Sequence, residues 1–196
     1  MKMKYAKPPS MATEAISSKL ASMGAEPYVR THALRDVHPS ELKADEPHQV
    51  YTMRLDQLVS GDDRPSPSGW RFLLRQNDRA VAAAETITDD AGGSQFASLN
   101  RGPFVDGTVE ALDFAGTLPD PAAGSYEPRL LDVPALHARA LWLHGGDDVE
   151  DVAIPVAPTP PGIEAQRVYP LSEFMTKLRA QAEVVMNVGP DDLTGG

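Results

Sequence analysis

Two histidines seven residues apart, His137 and His144, run into Asp147 and Asp148 in the segment ALHARALWLHGGDD. Imidazoles and carboxylates ligate divalent metals and move protons, so this segment is the first place where chemistry is expected. The spacing rules out joint action by the two rings. On a strand an odd separation sends them to opposite faces, about 23 Å apart at about 3.3 Å per residue. On a helix they share a face but lie about 10.5 Å apart along the axis, beyond a zinc ion whose bonds are about 2.1 Å. What remains is local. His144, Asp147 and Asp148, with Glu150 and Asp151 close behind, form a set that a hard cation could use through oxygens. The ordered ligand spacing of an EF-hand loop is missing, and a solvated acidic turn accounts for the same residues. His144, Asp147 and Asp148 are the candidate metal ligands, weighed against that plainer explanation.

Other constellations are thinner. His32, His38 and His48 are spaced by six and ten, which matches no compact zinc pattern. Asp106 and Glu110 stand one helical turn apart, and Glu127 precedes an apolar element, but 28 acids make neighbours in any fold. Ser68 and Ser94 lie in loop-forming stretches, and the G-x-S-x-G elbow that presents a hydrolase serine is absent. The chain carries no phosphate-cradling Walker loop, no dinucleotide fingerprint and no H-E-x-x-H. With no cysteine there is no disulfide, thiolate metal site or cysteine nucleophile, and no cofactor is expected. PVAPTPPG, residues 155–162, reads as a stiff extended connection that also contains P-x-x-P. The last four residues, LTGG, resemble the Gly-Gly tails of ubiquitin-like and sulfur-carrier proteins, although a helical pattern precedes them where those folds have a strand.

The elements that must position these residues follow from periodicity. Three helices are expected near 11–23, 103–116 and 170–187. Ile16 and Leu20 share a face in the first, Val105, Val109 and Leu112 in the second, and Phe174, Leu178 and Val185 in the third. Gly107 sits inside the second, where glycine costs about 1 kcal/mol against alanine. Strands are expected near 49–58, 69–76, 79–88, 133–144 and 151–157, the surest signal being a hairpin turning at Asn77 and Asp78. Residues 133–144 stay open: alternation argues strand, whereas Pro134, alanine-leucine content and Gly145-Gly146 argue helix. The expected fold is α+β, a largely antiparallel sheet of about five strands with helices packed on one face. One domain spans 10–188, between flexible tails at 1–9 and 189–196. Tyr51, Met53, Leu55, Trp70, Phe72, Leu74, Trp142 and Ile154 join the helix residues in the expected core.

Charge narrows the partners. Eighteen basic against 28 acidic residues give a net charge of -10, with no basic run to follow a phosphate backbone, so neither nucleic acid nor an anionic membrane is expected. The start, MKMKYAKPPS, lacks the apolar stretch of a signal peptide, and no window reaches the roughly 20 apolar residues of a membrane span. A cytoplasmic location is inferred, and twelve arginines to six lysines suggest a GC-rich bacterial genome. The expected function is a non-enzymatic protein-binding or assembly component, with a protein partner or self-association. The rivals are a hydrolase using carboxylates and histidine, with or without a divalent cation, and a small-ligand carrier with its pocket between sheet and helices.

Overall fold

A computed structural model of the chain describes residues 1–25, 34, 37–121, 124–147 and 149–187. The hairpin read from the sequence is its centre. β2 (Ser66–Gln76) and β3 (Arg79–Thr88) pair antiparallel, and Asn77 and Asp78 take φ of 48° and 64°, the two left-handed residues that a two-residue turn needs. β1 (Lys43–Thr52) flanks β2 and β4 (Ser94–Asn100) flanks β3. A second antiparallel half comprises β5 (Glu127–Val133), β6 (Ala138–His144), β7 (Val152–Pro155) and β8 (Tyr169–Pro170). The halves join where β1 and β5 run parallel, giving the order β4-β3-β2-β1-β5-β6-β7-β8. Four helices complete the α+β fold among the described residues: α1 (Ser10–Ala25), α2 (Leu55–Ser60), α3 (Pro103–Thr117) and α4 (Leu171–Asn187).

The sheet therefore has eight strands where about five were expected, and it is mixed. The parallel pair arises because α3 carries the chain from the β4 edge back across the sheet, which sets β5 down beside β1. Helices cover both faces, not one. Phe72, Leu74, Ala82 and Ala84 meet Ala12, Ile16 and Met23 of α1. Their neighbours Leu73 and Ala83 point the other way, to Val105, Ala111, Leu112 and Ala115 of α3. In the second half Ala140, Trp142 and Ala153 pack against Phe174, Met175 and Leu178 of α4, on the α1 side, while Leu141 and Ile154 face α3. Five consecutive buried residues, Trp70 to Leu74, are the mark of a strand buried twice.

Two boundaries moved for local reasons. The alternation from Tyr51 to Leu55 is interrupted at Thr52 because Gln57 accepts the Arg54 N–H and Gly61 closes the turn at φ 78°, so Leu55 starts a helix that buries Leu58. In 133–144 both readings were partly right. Pro134 starts a 3-10 turn over Pro134–Leu136, His137 ends it at φ 48°, and the alternation then runs as strand β6. Of the expected core, Leu20, Tyr51, Leu55 and Val109 are half-buried, and Val185 is 45% exposed on the solvent side of α4. At the N-terminus Met3 bridges Tyr126, and the Tyr5 ring meets His48 edge-on at 5.5 Å. No described helix is long and apolar enough to cross a membrane.

Candidate functional site

On the α3 face of the sheet, charges stand where apolar residues would pack. Arg71 falls within the buried run of β2 and is 1% exposed. Register places Glu85 directly across on β3, and their side chains pair at 2.8 Å, Nη1 to Oε1. In the second half the β5–β6 hairpin sets Asp132 opposite Arg139. Arg139 forks onto that carboxylate, with Nε to Oδ1 at 3.2 Å and Nη2 to Oδ2 at 3.0 Å. Its remaining amino group reaches Glu85 Oε1 at 3.4 Å, so one carboxylate oxygen takes both arginines and links the halves. Ser98 of β4 donates to Glu85 Oε2 at 3.3 Å, and Asn100 donates to Ser98 at 2.8 Å.

The start of α3 closes the cluster. Arg71 Nη2 donates to the Phe104 carbonyl at 3.4 Å, and the Arg139 guanidinium lies over the Phe104 ring at 5.5 Å. Gly102 caps α3 at φ 119°, a conformation that side chains rarely adopt, and contributes no side-chain oxygen to the helix's first N–H groups. Between the sheet and this helix start lies a hollow of about 350 Å³, lined by Arg71, Glu85, Ser98, Asn100, Arg101, Pro103, Phe104, Val105 and Arg139. A second hollow of about 500 Å³ shares Arg101 and Val105 and adds Arg79 and Asp106. Burial, and then the neighbouring Glu85, push the Asp132 carboxyl up to about 6 against the pull of Arg71, although Arg139 forks onto it. Arg71 Nε is buried with no hydrogen-bond partner, so the cluster does not consume all of its donors.

The residues singled out from sequence lie elsewhere. His144 hydrogen-bonds Asp151 through Nδ1 at 3.0 Å. Asp151 also takes the Trp142 indole at 2.7 Å and the Gly145 N–H at 2.8 Å, so it serves to pin the turn after β6. Asp147 is exposed in that turn, while Asp148, His32 and the LTGG tail lie outside the described residues. Among the described residues no three His, Cys, Asp or Glu side chains are placed to hold a metal ion. His38 is exposed and bonds Ser40 at 2.7 Å, whereas His48 is wholly buried. Of the carboxylates, Glu110 accepts from Gln166 at 3.4 Å, Glu127 pairs with Arg129 at 2.6 Å, and Asp106 lines the second hollow. Ser68 donates to the Val50 carbonyl at 3.2 Å, and the Ser94 hydroxyl is buried without a partner.

Sequence reasoning missed Arg71, Glu85, Asp132 and Arg139. The available signal was an arginine inside the apolar run WRFLL, because a charge in a doubly buried strand must be paired. Its partners come from β3, β5 and β6, and only strand register joins them. Compared with known proteins, the chain matches no family model, no curated protein and no solved structure.

Proposed function

We propose that this chain is a non-enzymatic binding component whose ligand is a small molecule seated between the sheet and the start of α3. The observation that carries this reading is the convergence of two guanidinium groups, Arg71 and Arg139, with Ser98 and Asn100 on the wall of a hollow of about 350 Å³. Ligand pockets span about 300 to 1,000 Å³ and are marked by a few convergent polar groups. Binding is favoured over hydrolysis because the lining holds no imidazole, and its one carboxylate, Glu85, is already engaged by both arginines. The test is to purify the protein from the cells that make it and extract it for mass spectrometry. A stoichiometric small molecule, lost in Arg139→Gln, is expected; ligand-free protein in both preparations would defeat the reading.

A protein partner is the second reading. It is favoured by Val184, Val185 and Met186, three consecutive exposed apolar side chains at the end of α4. Val184→Glu should then abolish capture of a partner in a pull-down while leaving the melting temperature unchanged.

A further inference from the structure

We propose that the outer edge of β4 is an interface between two copies of this chain, each adding its own β4 antiparallel to the other's. The pairing does not depend on the ligand reading above. β4 pairs only with β3, so along its outer side the backbone N–H and C=O groups have no backbone partner among the described residues. Proteins blunt such edges with short strands, prolines or charges. β8 at the opposite edge is two residues long and ends in Pro170, whereas residues 91–100 hold neither a charge nor a proline. α1 lies over β4, with Lys19 above the Phe96 ring at 5.6 Å, and its only charges are Glu14 and Lys19. This flank is therefore neutral in a chain whose net charge is -10, so two copies can meet there without opposing like charges. The register selects a second copy as the occupant. A bulge at Ala97 puts Phe96 opposite Thr86 and Ser98 opposite Glu85, so Phe96 and Leu99 are both half-buried on the α1 face, while Gln95, Ser98 and Asn100 point to the other. A two-fold axis between Ala97 and Ser98 then sets Phe96 opposite the second copy's Leu99 and Gln95 opposite its Asn100. Each pair lies on a matching face, and the apolar pair covers side chains that one copy leaves half-exposed. The two bulges meet at the axis, so both edges twist together. Asn100 lines the α3 hollow, and the same pairing brings the second copy's Gln95 to its rim.

The experiment is sedimentation velocity on the full chain from micromolar to submillimolar concentration. A dimer that grows with concentration is expected. Ala97→Lys, which opposes two like charges at the axis, should weaken it by about tenfold or more, and so should Gln95→Lys, a second exposed edge position that keeps the assay interpretable if the first variant unfolds. The chain has no cysteine, so Ala97→Cys reports the register directly. Its two copies, about 6 Å apart by strand spacing, should close a disulfide-linked dimer under mild oxidation, and Val59→Cys, exposed on α2, should not. A monomer at every concentration, a dimer indifferent to both lysines, or equal cross-linking of the two cysteines would each overturn the β4 interface. A dimer lost in Val184→Glu but kept in Gln95→Lys would overturn it in favour of the end of α4. A monomer that still carries a small molecule from its cells would end the pairing and leave the ligand-binding reading intact.

Discussion

His48 and Arg71 face each other across β1 and β2, and each buries polar atoms at a cost. Neither ring nitrogen of His48 makes a hydrogen bond; the Glu46 backbone lies near enough to favour the charged ring slightly but outside bonding geometry. Burial, and then Arg71, bring its pKa down to about 3. Below pH 6.5 the unfolded chain takes up the proton first, so the stability that His48 contributes above that pH is lost as the pH falls toward 3. His48→Leu should therefore stabilise the protein by about 1–3 kcal/mol at pH 7 in urea denaturation, with the gain widening toward pH 4. Asp132 has the opposite sign. Its folded carboxyl holds a proton up to about pH 6, so its contribution is complete below about pH 4 and declines as the pH rises through 6. Wild type minus Asp132→Asn should shrink by about 2 kcal/mol between pH 4 and pH 7. The groups that set the Asp132 charge are Glu85, Arg71 and Arg139. At this level the sequence exposed residue types but not their company. His144 and Asp147 were legible as chemistry and Arg71 as an anomaly, yet an ion pair across four strands leaves no local pattern.

Gly107 of α3 separates helix propensity from packing. Alanine there would gain about 1 kcal/mol by propensity. Its Cβ would meet the Ala157 carbonyl oxygen at 2.3 Å and the Ala157 nitrogen at 3.0 Å, and backbone cannot swing aside as a side chain can. The clash should win, and Gly107→Ala should lose about 1–3 kcal/mol in thermal or urea melts. The glycine is the close approach of α3 to the segment after β7, which explains how a helix with this weakness stands. Leu178, fully buried between α4 and the sheet, should lose about 2–5 kcal/mol when cut to alanine. The three longer helices were legible because an apolar stripe recurs over 15 or more residues. α2 was not, since six residues make less than two turns, too few for a period. β4, β5 and β8 escaped for related reasons. β8 is two residues long, and β5 buries apolar side chains on both faces, so neither alternates cleanly.

The molecule depends on one seam, the parallel pairing of Gln49–Thr52 with Arg129–Asp132. Trp70 belongs to the half covered by α1 and Trp142 to the half covered by α4, so each reports on its own side. Because α3 packs on Leu73 and Ala83 of one half and on Leu141, Leu143 and Ile154 of the other, the halves should unfold together. Single-tryptophan proteins, Trp70→Phe and Trp142→Phe, should each show a fluorescence midpoint that coincides with loss of far-ultraviolet dichroism. Fluorescence and dichroism midpoints that separate within either variant would mean the seam is too weak to couple them. Read alone, the amino-acid order determined the α+β class, the central hairpin and three helices, and most of the core residues it singled out are buried, because each of these is written within about fifteen consecutive positions. Tertiary structure alone decided the count of strands, the parallel seam, the helical cover on both faces and the meeting of Arg71, Glu85, Asp132 and Arg139. Those features join distant residues, 80 positions apart at the parallel seam, through register and crossover, and no local periodicity encodes which distant strand a given strand will accept as its neighbour.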